Sequence, residues 1–272
     1  MKSRELAQPE PSLSRPRHPW TLTGVLPDFT GWEWFVAALA AVGIGISKSG
    51  LPGVSLLHVV LFAHLFPGLR STGVVLPMLI IGDIGAVLLF RRHARWPHVF
   101  RTLPPALVGV ALGWAAMGSW PDLSWNPVIG AIVLALAFLQ LLRNWKPGLI
   151  ANLPHSQGFA WIMGLTAGMT TMVANAAGPV MALYLLAVAL PKEAFVGTSA
   201  WFFLLINLLK IPFSIHLGFI HPDTLLLNLL LVPLIVTGLF AGRAFVSRIP
   251  QKAFDTLILA FAIVASFKLT VF

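Results

Sequence analysis

Ten apolar runs follow one another along this chain, at about residues 32–47, 52–66, 72–90, 97–118, 127–142, 158–173, 179–190, 194–217, 222–246 and 253–272. Within each run the apolar residues are continuous rather than alternating, so they describe helices and not the strands of a barrel. Runs of this length suit a hydrocarbon layer, where the backbone must satisfy its own hydrogen bonds. The pattern predicts an all-α membrane protein with about 8–10 hydrophobic helical segments. The first, second, sixth and seventh runs are short for a full crossing and predict broken, tilted or re-entrant segments.

Proline and glycine punctuate this pattern at a repeating interval. Pro52 follows Gly50 and Leu51, and Pro179 follows Ala177 and Gly178, 127 positions further on. At about the same spacing "RSTGVVLPMLIIGDIG" from Arg70 lies over "GTSAWFFLLINLLKIP" from Gly197, and Pro97 answers Pro222. Pro105 with Gly109 and Gly113 answers Pro233 with Gly238 and Gly242. Such an ordered series predicts two homologous halves, about 31–147 and 156–272, within a single membrane transport domain at 31–272. Five segments per half is an odd number, so the halves are expected to have inverted topology.

Loop charge bears on the orientation. Arg91, Arg92, Arg95 and Arg101 crowd the junction of the third and fourth runs, whereas the counterpart near residues 216–223 has no lysine or arginine. The positive-inside rule puts that loop in the cytoplasm, together with those carrying Arg143 and Lys146 and Arg248 and Lys252, and puts both termini outside. The polar stretch 1–30 opposes this with its own basic residues. Its scattered prolines predict a disordered tail, and it lacks the apolar core and cleavage site of a secretory signal.

Composition narrows the function. Of 272 residues 57% are hydrophobic and 10% charged, which leaves no polar insert for a soluble domain. The formal charge of +9 sits in loops and run ends rather than on one face, which reads as membrane orientation and not as binding of nucleic acid. With no cysteine there is no disulfide, thiol nucleophile or cysteine metal site. No GxSxG, P-loop, GxGxxG or paired catalytic acids occur, so no enzyme and no cofactor is expected.

The chemistry concentrates in "GIGISKSGLPG" at 43–53. Ser47, Lys48, Ser49, Gly50 and Gly53 are poor helix-interior residues, and Pro52 suits the first position of a new helix, where its missing N–H costs nothing. A helix start offers unpaired N–H groups and partial positive charge, and Lys48 adds a full one, so this break is a candidate anion site. In the second half its counterpart is "ANAAGPV" at 174–180, with Asn175 at the place of Lys48 and Gly178-Pro179 at the place of Leu51-Pro52. Two breaks related by a pseudo-twofold axis bring two helix starts to one point. The alternative is a pair of tight turns, with Lys48 reaching to the headgroups.

Asp83 lies deep in the third run and Lys210 at the equivalent place in the eighth, with Asn207 one turn before it. Charges inside a membrane pair or line a water path, so Asp83 is expected to pair with Lys210 or to carry a proton. His58 and His64 are six positions apart and share no helical face; they read as solvated or interfacial, and no metal site is expected. Thr166, Thr170 and Thr171 are expected to bond their own helix backbone, and the glycine pairs 109/113 and 238/242 to pack helices closely.

Three stretches together resemble the sulfite exporter TauE/SafE family. They are "GxxKxGLPG" at 45–53, "ANAAGPVMALYLL" at 174–186 and "FVGTSAWFFLLINLLKIP" at 195–212, within a two-half layout spanning about 32–272. The resemblance implies a permease for sulfur-containing anions, sulfite or organosulfonates such as sulfoacetate, in a bacterial cytoplasmic (inner) membrane. Carried over by position, Lys48, Gly50, Pro52, Asn175, Gly178 and Pro179 become candidate substrate contacts. The expectation is a secondary transporter working by alternating access, its partners a small sulfur anion, the lipid bilayer and a coupled proton. Left open beside it are a carrier of a carboxylate or a cation with Asp83 as principal contact, and a membrane scaffold that transports nothing.

Overall fold

A computed structural model describes residues 26–51, 54–66, 69–120, 123–145, 156–220 and 222–245. Among them are nine α-helices and no strand. The first half contributes α1 (Gly31–Lys48), α2 (Val54–Leu65), α3 (Arg70–Phe90), α4 (Trp96–Ser119) and α5 (Trp125–Trp145), with a 3₁₀ turn at Arg91–His93. The second contributes α6 (Gln157–Ala174), α7 (Gly178–Ala187), α8 (Lys192–His216) and α9 (Pro222–Phe245). The tenth apolar run, at 253–272, lies outside the described residues, as do Pro52 and Gly53.

Four helical stretches, Arg70–His93, Trp96–Ser119, Lys192–His216 and Thr224–Ala244, are long and apolar enough to cross a membrane. Their outer faces carry large apolar side chains: Leu88, Phe100 and Leu229 are all more than half exposed, while Asp83, Asn207 and Lys210 are buried. A soluble fold would be arranged the other way round. Exposed Trp32, Trp96, Trp120 and Trp161 stand at or near helix ends, where an indole ring suits the headgroup level. This is an all-α, multi-pass membrane protein.

The short helices form hairpins. Phe29, just before α1, lies 5.6 Å from Phe66 at the end of α2, and a Cβ at Gly43 would touch Val54 and His58, so α2 folds back along α1. In the second half Phe159 near the start of α6 lies 6.0 Å from Tyr184 on α7, which closes the same kind of hairpin. Tyr184 also meets His98 Nδ1 of α4 at 3.0 Å. The first hairpin begins with a capping box. Thr30 Oγ1 accepts from the Glu33 N–H while the Glu33 carboxylate accepts from the Thr30 N–H. Composition assigns residues 26–30 to the polar tail; in the structure this cap and the packing of Leu26 and Phe29 join them to the fold.

The two halves are interlocked. Helix α1 packs along α9, and α6 along α4, so the first helix of each half lies on the fourth of the other. Glycine permits both approaches. A Cβ at Gly238 would strike the Val42 carbonyl, one at Gly45 the Ile235 carbonyl, one at Gly109 the Leu165 carbonyl and one at Gly168 the Ala106 carbonyl. With no cost for moving apolar surface away from lipid tails, such backbone-to-backbone contact is what holds membrane helices together. At the centre α3 and α8 run antiparallel: Gly73 near the start of α3 abuts Phe219 beyond the end of α8, and Gly197 near the start of α8 abuts Phe90 at the end of α3 and Ala94 beyond it.

Candidate functional site

The hairpin tips meet. Lys48 and Gly50 from the end of α1, Ser55 and His58 from the start of α2, Asn175 from the end of α6 and Gly178 from the start of α7 all line one cavity of about 40 Å³. A cavity of that size admits water or a small ion. The turn after α1 depends on Gly50, whose φ of 110° is closed to side-chain-bearing residues and whose Cβ position is occupied by Val196. The turn after α6 uses Asn175 at φ 52°, in the left-handed region where asparagine is one of the tolerated residues. Helix α7 has Pro179 in its first turn and no side-chain cap, so its positive end is left for whatever enters beside Gly178.

Behind the tips lies a charged layer. Lys48 Nζ stands 2.7 Å from Asp83 Oδ1, with the lysine 10% and the aspartate 0% exposed. Asn207 Nδ2 donates to the other carboxylate oxygen at 2.7 Å, and the Phe203 ring lies 4.5 Å from the same ammonium. Lys210 is equally buried but donates only to neutral acceptors: the Thr171 carbonyl at 2.9 Å, Thr171 Oγ1 at 3.2 Å and Asn175 Oδ1 at 2.5 Å. The Asn175 amide then donates to the Thr72 carbonyl of α3 at 3.0 Å and ties the second tip to the first half. The three donors of the Lys210 ammonium are thus used up.

This pairing differs from the one expected from sequence. Asp83 pairs with Lys48, not with Lys210, because the first hairpin brings Lys48 back against α3 while Asn175 and Thr171 take up Lys210. Thr166 and Thr170 do bond back to their own helix, but Thr171 accepts from Lys210 instead. The larger departure is His58. Expected to be solvated or interfacial, it is 1% exposed and faces the cavity, whereas His64 is exposed. Helix α2 is apolar all round and carries no amphipathic stripe, so periodicity offered no sign of which way His58 points.

Of the other expected positions, Ser47 and Asn207 line the cavity. Ser49 turns away from it, donating to the Ile46 carbonyl and filling the space beside Gly242 of α9. Pro179 is buried within α7 without lining the cavity, and Pro52 and Gly53 lie outside the described residues. Among the described residues no three His, Cys, Asp or Glu gather as a metal site would require.

A protein-family model described as "Sulfite exporter TauE/SafE" matches residues 37–269. No curated protein matches the chain.

Proposed function

The chain belongs to the sulfite exporter TauE/SafE family, membrane transporters of sulfite or related anions and not enzymes, and on that footing we propose that it is a secondary carrier of a compact sulfur oxyanion, sulfite or a small organosulfonate. The observation that carries this is the charge count where the hairpin tips meet: two amines, Lys48 and Lys210, against one carboxyl, Asp83. An incoming anion supplies the missing countercharge at a point where Lys48, Gly50 and the uncapped start of α7 converge. A sulfur oxyanion carries oxygens in several directions and accepts from both tips at once.

The architecture supports transport by alternating access. The antiparallel run of α3 against α8 and the crosswise packing of α1 on α9 and α6 on α4 support two inverted repeats that rock about a shared site. In this scheme Asp83 and the substrate compete for the Lys48 ammonium. A proton reaching Asp83 frees Lys48 for the anion, which couples the two movements. The setting is a bacterial cytoplasmic membrane, with the arginine-rich turn after α3 on the cytoplasmic side.

Sulfite flux into proteoliposomes tests the reading. Lys48→Ala is expected to abolish it and Lys48→Arg to retain part of it. Undiminished flux in Lys48→Ala removes the anion site, and wild-type protein that moves no sulfur oxyanion leaves the scaffold reading standing.

A further inference from the structure

His58 is the buried polar group that the pairing described above does not use. It lies four residues into α2, on the same face as Ser55, and both line the cavity. Neither ring nitrogen has a hydrogen-bond partner among the described residues, although the side chain is 1% exposed. An orphaned polar group in such a place is costly and calls for an explanation, and a leucine of similar size would fill the position without that cost. The imidazole is within electrostatic reach of the Lys48 ammonium. In any protonation state it offers at least one N–H.

We propose that His58 is a direct ligand of the transported anion, donating a ring N–H to one of its oxygens while Lys48 holds another. This rests on the reading of the cavity as an anion site. It gives that site a directional donor beside the ammonium, which acts as a point charge. A polyatomic oxyanion has enough oxygens to satisfy both groups. A single-centred halide has to accept from both groups at one point, whereas an oxyanion presents a separate oxygen to each, so His58 favours oxyanions.

The test uses the full-length purified protein with sodium sulfite as probe, reading affinity by calorimetry and the melting temperature without ligand. Three variants are compared: His58→Leu, His58→Asn, whose amide sits near the Nδ1 position, and His58→Gln, whose amide sits near Nε2. His58→Leu is expected to melt at or above the wild-type temperature yet to bind sulfite about tenfold more weakly or worse, the worth of one charge-assisted hydrogen bond. One of the two amide variants restores affinity and so identifies the nitrogen used. Chloride competition is expected to change little in His58→Leu.

Two results overturn the proposal: unchanged sulfite affinity in His58→Leu, or a lowered ligand-free melting temperature in all three variants, which marks a structural histidine. Failure of the wild type itself to bind sulfite defeats the underlying anion-site reading, and is distinguishable because it precedes any effect of substitution.

Discussion

Lys48 and Asp83 form an ion pair at 2.7 Å, and 127 positions along the chain Asn175 and Lys210 make the equivalent contact at 2.5 Å with the charges rearranged. In the first half the hairpin tip carries the cation and the long helix the anion. In the second the tip carries a neutral amide and the long helix the cation. The same two positions are thus in contact in each half with the charges differently placed, and the difference leaves an amine without a carboxylate partner.

The Lys48–Asp83 pair is expected to be strongly coupled. Lys48→Met or Asp83→Leu alone leaves an uncompensated buried charge and is expected to cost about 3–5 kcal/mol, whereas the double variant recovers most of that loss. Unfolding of the four proteins in detergent measures it. Additive single effects contradict the coupling.

Asn175→Asp gives Lys210 a countercharge. The prediction is a folded protein that no longer carries sulfite, because the surplus positive charge is gone, with the ion pair gained at Lys210 offsetting the amide donor lost at the Thr72 carbonyl. A thermal melt and a flux assay on one preparation check it, and retained flux would count against charge balance as the source of anion preference.

Asp83→Asn separates coupling from binding. Under an imposed proton gradient this variant is expected to lose gradient-driven accumulation while still exchanging anion across the membrane. Accumulation at the wild-type level excludes Asp83 as the proton carrier.

Gly168→Ala places a methyl group on the Ala106 carbonyl at the α4–α6 contact and is expected to destabilise by about 1–3 kcal/mol, since backbone on both sides resists displacement. Gly118→Ala, where the nearest atom to the new Cβ is Leu217 Cδ2 at 3.8 Å, is expected to be neutral or to stabilise by up to about 1 kcal/mol through helix propensity. Equal effects on the melting temperature would remove close packing as the explanation.

Much of this arrangement is legible in the chain because lipid leaves few alternatives. A continuous apolar run has to be a helix, so the segments could be read directly, and α4 at Trp96–Ser119 differs from the expected 97–118 by a residue at each end. Breaks were equally visible, since Ser47-Lys48-Ser49-Gly50 and Asn175 to Pro179 interrupt runs that otherwise continue. Hidden from sequence was what a charged side chain meets. Asp83 had two lysines to choose from, and the choice depends on how far α1 reaches before it turns. His58 illustrates the same limit, because a helix that is apolar on every side does not reveal which side holds a cavity.

The primary structure alone determined the membrane solvent, the helical segments and the two interruptions, all consequences of hydropathy and of where glycine and proline fall. Only the tertiary structure decided that the interruptions share one cavity, that Lys48 answers Asp83 while Lys210 answers Asn175, and that His58 faces inward. Those outcomes rest on contacts between residues 35 positions apart in each pairing and more than a hundred apart where the second tip is tied to the first half, or on the rotation of a helix about its axis, and no local pattern encodes any of them.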